Sequence, residues 1–306
     1  MLRENGFDVD IWHKDRAMSQ REIIKNLKKE NYDAVLSLLT DKINAKIFDA
    51  SPATKIFANY ATGYDNIDIA EAKKRNTTIT NTPGVSGIAV AEHTFALMFA
   101  LTTRLVEGDA FMRRGKYRGW APMNFVGTDF TGKTIGLVGV GNIGSQVARM
   151  AYEGFGAKII YTDIRQNREV EEKYGAKKCD SLEILLREAD IVSLHVPLLG
   201  STHHLINETR LQMMKPTAFL INTSRGPVID EKALVRALQN KTIRGAALDV
   251  FEFEPALSPG LAKLPNVILT PHIASARESV RDEMARLSAQ SIIDFFAGKT
   301  PTNRVN

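Results

Sequence analysis

Apolar residues in this chain recur with two spacings, and the way they alternate divides it in two. From residue 133 onward, the short runs KTIGLVGV, AKIIYTD, DIVSLHV, TAFLINT, GAALDVF and NVILTPH are separated mostly by stretches whose apolar positions repeat at helical spacing. Runs apolar on both faces and joined by helical crossovers predict a parallel, doubly wound sheet of six strands. The intervening helices carry recognisable ends. DSLEILLREAD opens with Asp180 and Glu183 at capping-box spacing, DEKALVRALQNK starts at Asp230, and LQMMKP stops at Pro216, which cannot continue a helix.

The first part repeats the theme on a smaller scale. FDVDIW, DAVLSLL, TKIFANYA and TTITNT are strand candidates, with helices predicted in SQREIIKNLKKE, which has a Ser19 to Glu22 capping box, and in NIDIAEAKKRN. This predicts a second α/β lobe. The stretch AVAEHTFALMFALTTRL carries Glu92 and His93, and no stretch reaches the roughly 18 uncharged apolar residues of a membrane span, so it is expected as a buried or interface helix. The last segment, ESVRDEMARLSAQSIIDFFAGK, forms one amphipathic helix ended by Gly298, and periodicity alone leaves its lobe open.

Composition sharpens this in three ways. With 306 residues, two domains are the first expectation, and 44% hydrophobic with 25% charged residues places the chain among ordinary globular proteins. The formal charge of +5 comes from scattered pairs such as Lys28-Lys29, Lys73-Lys74-Arg75 and Lys177-Lys178, which read as solvated faces and not as a nucleic-acid footprint. Cys179 is the only cysteine, so neither an intrachain disulfide nor a thiolate zinc cluster can form, and a reducing, cytoplasmic location fits. The first residues, MLRENGFDVDIW, lack the basic and apolar blocks of a signal peptide, and His13, His93, His195, His203 and His204 show no metal-ligand spacing.

Candidate chemistry begins at GVGNIG, residues 139 to 144, between a predicted strand and a predicted helix. Alone, such a glycine string is a weak signal; in this setting Gly139 serves a tight turn, Gly141 lets backbone approach a pyrophosphate, and Gly144 lets helix pack on strand. With Asn142 and Ile143 these residues are the expected phosphate contacts, because a helix N-terminus offers unpaired N–H groups and a positive dipole end. Nineteen residues after Gly144, at the next strand's end, Asp163 stands where a ribose 2′-hydroxyl needs an acceptor. Its charge would repel a 2′-phosphate, so NAD (as NADH) is expected and NADP disfavoured, a preference that Arg165 softens.

Three further groups sit just after predicted strands, at the carboxyl edge where open α/β sheets bind ligands. Arg225 follows TAFLINTS and can grip a carboxylate bidentately, GAALDVF delivers Asp249 and then EFEP with Glu254 before Pro255, and NVILTPH ends in His272, followed by the small Ala274 and Ser275. Taken singly, an arginine or histidine after a strand is more often structural; the ordered coincidence with the fingerprint favours a site.

Together GVGNIG, INTSRGPVID, LDVFEFEP and LTPHIAS resemble the D-isomer-specific 2-hydroxyacid dehydrogenase family, over nearly the whole chain from ATGYDNID onward. The resemblance implies a two-lobed α/β fold, with a Rossmann dinucleotide-binding domain (85–275) inserted in a smaller flavodoxin-like substrate domain (1–84 and 276–306). It further implies that Arg225, Glu254 and His272 act together and that Asp249 holds the nicotinamide carboxamide. In the reducing direction, hydride passes from NADH to C2 of a 2-keto acid while His272 donates a proton to the oxygen, Arg225 binds carboxylate and keto oxygen, and Glu254 favours the charged imidazole. Glu252, the earlier acid of FEFEP, is set aside. His195 is expected to wall the adenosine pocket, and Pro197, Thr223, Ser224 and Ala274 are further expected cofactor contacts.

In the first lobe, YATGYDNID implies that the backbone amides of Thr62 and Gly63 bind the substrate carboxylate, Thr62 replacing a usual valine. Relatives usually begin with a strand and most of a helix before the equivalent of LRENGFDVDIW, so this lobe is expected to lack its first strand. The helix from Ala89 and RGWAPMNFVG resemble a dimer-forming arm in which Trp120 reaches the partner's site or anchors an interface, implying a homodimer. GYDNID and GWAPMNFVG point to glyoxylate or hydroxypyruvate as the small keto acid. D-lactate or phosphoglycerate dehydrogenase activity, and a non-enzymatic NAD-sensing co-repressor-like dimer, remain as alternatives.

Overall fold

The computed structural model describes residues 1–306, and its chain divides into two compact units, residues 1–86 with 276–306, and residues 87–275. In the first unit, strands β1 (Ala34–Leu38), β2 (Ile56–Tyr60) and β3 (Thr78–Thr80) pair in parallel in the order β1-β2-β3. Phe57 and Ile79 face Ile23, Ile43, Ile47 and Phe48 from the helical layer, and on the other side Ile56 and Ala58 pack with Ile292 of the final helix, Glu278–Phe296. Ser19 caps helix Gln20–Leu27 with the full reciprocal box, Ser19 side chain to the Glu22 amide and Glu22 side chain to the Ser19 amide.

One predicted strand is absent. Residues 7–12, FDVDIW, form no ladder. Their alternation is real, and Phe7 packs edge-on against Phe296 at 5.7 Å, but a strand also needs a neighbour to satisfy its N–H and C=O groups. Here Trp12 Nε1 instead donates to the Arg16 carbonyl at 2.8 Å. A short helix, Ala45–Ala50, capped by the Asn44 side chain, lies where the apolar pattern predicts no element.

The second unit carries a seven-stranded parallel sheet. Its strands are β4 (Thr134–Val138), β5 (Lys158–Thr162), β6 (Lys177–Lys178), β7 (Ile191–Leu194), β8 (Phe219–Asn222), β9 (Gly245–Leu248) and β10 (Val267–Leu269), in the order β10-β9-β8-β7-β4-β5-β6. Six match the apolar runs; β6 is two charged residues at the edge, invisible to a hydrophobic pattern. The sheet is covered on both faces. Leu185, Leu186, Leu234 and Leu238 lie in one apolar layer, and Phe95, Met98, Val147 and Ala151 in the other. Each fully buried leucine or isoleucine contributes about 1.5–3 kcal/mol before chain entropy is set against it. Ser181, and not Asp180, caps helix Leu182–Glu188 by accepting from the Ile184 amide; adjacent capping residues compete, and the backbone angles here favour the serine. Asp230 caps Glu231–Gln239 as predicted. The helix Gly87–Thr102 buries most of one side, and no helix is long and apolar enough to cross a membrane.

Candidate active site

The order of strands reverses at β4: β5 and β6 lie to one side, β7 to β10 to the other. Chain leaving β4 and β7 therefore diverges, opening a crevice at the carboxyl ends. GVGNIG fills that position, and helix Asn142–Phe155 starts there with Gly141 as its cap. Gly139 has φ +92°, and a Cβ on it would lie 2.7 Å from the His195 carbonyl oxygen; a Cβ on Gly144 would lie 2.1 Å from the Gly139 carbonyl oxygen. Both contacts are with backbone, so only glycine lets the loop close on the strand and helix. At Gly141 a Cβ would meet nothing within 4 Å, so this turn faces open space where a pyrophosphate can approach.

Asp163 accepts from the Val140 amide at 2.9 Å and the Arg165 amide at 3.1 Å, which fixes its carboxylate beside the fingerprint. Next to it Ile164 is 96% exposed. Asn167, not foreseen, ties the loop by donating to the Val140 carbonyl at 2.8 Å and to Ser145 Oγ at 3.2 Å. His195 bonds Ser193 Oγ through Nε2 at 2.9 Å, while its Nδ1 is buried with no partner. Burial pushes the His195 pKa down to about 4, although the residue as a whole is partly exposed, so the ring is neutral at pH 7. An orphaned ring nitrogen, a glycine turn open toward solvent and a helix N-terminus beside a fixed acid suit a dinucleotide. Pro197 lies exposed just beyond.

At the other side of the crevice, Asn222, Leu248 and Leu269 end β8, β9 and β10 in adjacent register. The turns that follow are built by side chains. Buried Asn222 accepts from the Ser224 amide at 3.0 Å and Ser224 Oγ at 2.8 Å, and donates to the Arg225 carbonyl at 2.9 Å, shaping the turn that carries Arg225. Thr223 Oγ1 meets Thr94 Oγ1 at 3.0 Å, and Arg225 Nη1 donates to the Ser224 carbonyl at 2.8 Å. Asp249 is fully buried. It accepts from Thr270 Oγ1 at 2.6 Å, the Ile273 amide at 2.9 Å and the Ala274 amide at 2.8 Å, with His93 Nε2 at 3.5 Å. Its bonds within the chain thus hold the segment bearing His272, a role the sequence did not suggest.

His272 has φ +53°, rare for a side chain of its size, and its amide donates to the Asp249 and Thr270 carbonyls. Its Nδ1 lies 3.0 Å from Glu254 Oε2, and Glu254 Oε1 accepts from the Phe251 amide at 2.9 Å. Burial pushes the Glu254 carboxyl up, but the His272 hydrogen bond and charge, the Phe251 amide and the Arg225 guanidinium outweigh it. The net pKa lies below the usual carboxylate range. Asp249 is likewise lowered, burial being outweighed by its donors. The sheet therefore gathers an arginine, a histidine and an ionised glutamate at the same carboxyl edge as the glycine turn, a set able to bind an anion and hold a proton.

In the first unit, Thr62 and Gly63 lie in a turn whose carbonyls are engaged, Thr62 by Asn81 Nδ2 at 2.7 Å and Gly63 by Asn59 Nδ2 at 3.0 Å. The Thr62 hydroxyl donates to the Thr82 carbonyl at 2.9 Å.

Comparison with known proteins agrees. The family described as "D-isomer specific 2-hydroxyacid dehydrogenase, NAD binding domain" matches residues 95–274. Glyoxylate reductase of Thermococcus litoralis is 46% identical over 307 residues, covering 99% of this chain and 92% of the relative. A D-lactate dehydrogenase of Aquifex aeolicus, solved with NAD and lactic acid, superposes with a TM-score of 0.83 at 31% identity, covering 92% of this chain and 88% of its own. The acyclic imino acid reductase Bsp5, solved with NADPH and D-Arg, superposes with a TM-score of 0.82 at 32% identity, over 94% and 90%.

Proposed function

The chain belongs to the D-isomer specific 2-hydroxyacid dehydrogenase family of NAD-dependent oxidoreductases acting on CH–OH donors, and we propose that it reduces glyoxylate to the achiral glycolate, or hydroxypyruvate to its D-2-hydroxy acid. The observation that carries this reading is the His272–Glu254 pair at 3.0 Å, with Arg225 close enough to depress the Glu254 pKa.

When bound, NADH supplies the hydride for C2 of the keto acid. Gly139, Gly141, Asn142, Ile143 and Gly144 would hold its pyrophosphate, Asp163 its ribose hydroxyls, and His195, Pro197, Thr223, Ser224, Asp249 and Ala274 its remaining groups. Arg225 binds the substrate carboxylate and keto oxygen, and we assign carboxylate binding also to the backbone amides of Thr62 and Gly63. His272 points Nδ1 at Glu254, which leaves Nε2 to donate a proton to the keto oxygen. The ionised Glu254 accepts from the ring and holds it in that orientation for the transfer. In the oxidative direction the same nitrogen is the base.

Asp163 favours NAD over NADP, because its fixed carboxylate would face a 2′-phosphate. A homodimer is supported by the segment that follows helix Leu105–Arg113, where Trp120 is 83% and Met123 78% exposed, more apolar surface than a lone chain usually leaves in water. The test is a rate panel with NADH and NADPH, each against glyoxylate, hydroxypyruvate, pyruvate and bulkier keto acids, with chiral analysis of the product. Fast turnover of glyoxylate or hydroxypyruvate with NADH supports the reading, whereas pyruvate as the preferred acid would favour D-lactate dehydrogenase activity. NADH binding with no turnover on any acid would favour a sensor instead.

A further inference from the structure

We propose that Glu252, gripped between His204 and the start of helix Glu231–Gln239, is a positioning residue that fixes Glu254 against His272 and so sets the rate of keto-acid reduction; this rests on the function proposed above.

Segment 251–258 runs between β9 and β10 as a turn closed on itself, the Ala256 amide donating to the Phe253 carbonyl at 2.8 Å, and no strand ladder ties it to the sheet. Its anchorage comes from two carboxylates. Glu252 Oε2 accepts from the Glu231 amide at 3.0 Å, and Glu231 Oε2 accepts from the Glu252 amide at 2.8 Å. Glu231 Oε1 accepts in addition from the Ser258 amide at 2.7 Å, so one side chain, only 2% exposed, grips the segment at both ends. The exchange ties the Glu254 segment to residues 225–231, which begin with Arg225. Packing reinforces the tie, since Gly226 lies so close to Phe251 and Glu252 that no Cβ fits between them.

His204 completes the grip on Glu252. Its Nε2 lies 2.7 Å from Glu252 Oε1, its ring stacks on His203 at 4.0 Å, and its own amide donates to the Pro227 carbonyl at 2.8 Å. His204 sits at φ +50°, so its position is specified against backbone preference. Glu252 is thus bound on both oxygens. Two residues on, Glu254 is oriented by the amide of Phe251 within the same segment, and its free oxygen meets His272. Releasing Glu252 lets that oxygen drift from the imidazole while leaving the glycine turn and Arg225 in place. The signature is a fall in kcat with little change in KM or NADH affinity.

The test compares Glu252→Ala, Glu252→Gln, His204→Asn and Glu254→Gln in glyoxylate reduction, with NADH affinity read by fluorescence titration. Glu252→Ala is expected to lose about 10- to 100-fold in kcat with KM and NADH Kd within about twofold. Glu252→Gln keeps an acceptor for the Glu231 amide and a polar partner for the His204 ring, and should recover to within about threefold of the parent. If Glu252→Ala fails to fold, His204→Asn, on a more exposed turn, decides by the same kcat loss. A folded Glu252→Ala with parental kcat, or with NADH affinity falling in step with kcat, overturns the proposal. If Glu254→Gln itself keeps parental kcat, the function reading beneath it fails; if Glu254→Gln collapses while Glu252→Ala does not, only the positioning role falls.

Discussion

Replacing Gly226 by alanine tests the site through a single added carbon. An ideal Cβ there would lie 1.9 Å from the Phe251 carbonyl carbon and oxygen and 2.4 Å from the Glu252 amide nitrogen. All three are backbone atoms, so no rotamer change relieves the overlap. Ordinary contact begins near 3.4 Å, so the Arg225 turn and the 251–254 segment must separate by at least about 1.5 Å. The Glu254–His272 bond of 3.0 Å cannot survive a displacement of that size without compensating rotation. A misplacement of about 1 Å can cost on the order of 10²-fold in rate, or about 2.7 kcal/mol of transition-state stabilisation. We expect Gly226→Ala to lower kcat/KM for glyoxylate by about 10²-fold or more, measured as loss of NADH absorbance. NADH affinity should stay within about threefold, because the glycine turn after β4 does not move. A folded variant with kcat/KM within threefold of the parent would refute the reasoning, since the loop contact would then not set the geometry.

Asp163→Asn keeps an oxygen for the Val140 amide but removes the charge, so the NADPH-to-NADH ratio of kcat/KM should rise about five- to tenfold; an unchanged ratio in paired assays would acquit Asp163 of cofactor choice. Burial holds the pKa of folded His195 down to about 4, against about 6.5 for the unfolded chain. Between those values the unfolded chain takes up a proton that the folded chain refuses, so stability falls as pH drops through that window. The loss between pH 7 and pH 5 is about 2 kcal/mol, and denaturant titrations of His195→Gln should show that much less dependence on pH; an equal dependence would contradict a neutral buried ring.

Much of the cofactor side is legible in the sequence because its determinants are contiguous. GVGNIG, the strand before it, the helix after it and Asp163 span few residues, and backbone geometry leaves little choice but glycine at Gly139 and Gly144. Caps at Ser19 and Asp230 are local for the same reason. Legibility fails where partners are distant. Glu231 contacts Ser258, 27 residues away, and Glu252 contacts His204, 48 away, so neither pairing leaves a pattern at short range. Asn222 gave a faint signal, a polar residue closing an otherwise apolar run, and it builds the turn carrying Arg225. FDVDIW fails differently, since alternation says which side chains share a face but not whether a neighbouring strand exists to accept the ladder.

In this mechanism His272 delivers the proton while Glu254 holds the imidazole in place. The most direct measurement is the single-turnover rate of glyoxylate reduction by NADH-loaded His272→Gln against the parent, with NADH affinity determined in parallel. The variant's rate is expected to be lower by about 10²- to 10⁴-fold with NADH affinity nearly unchanged. Reduction at the parental rate would contradict it.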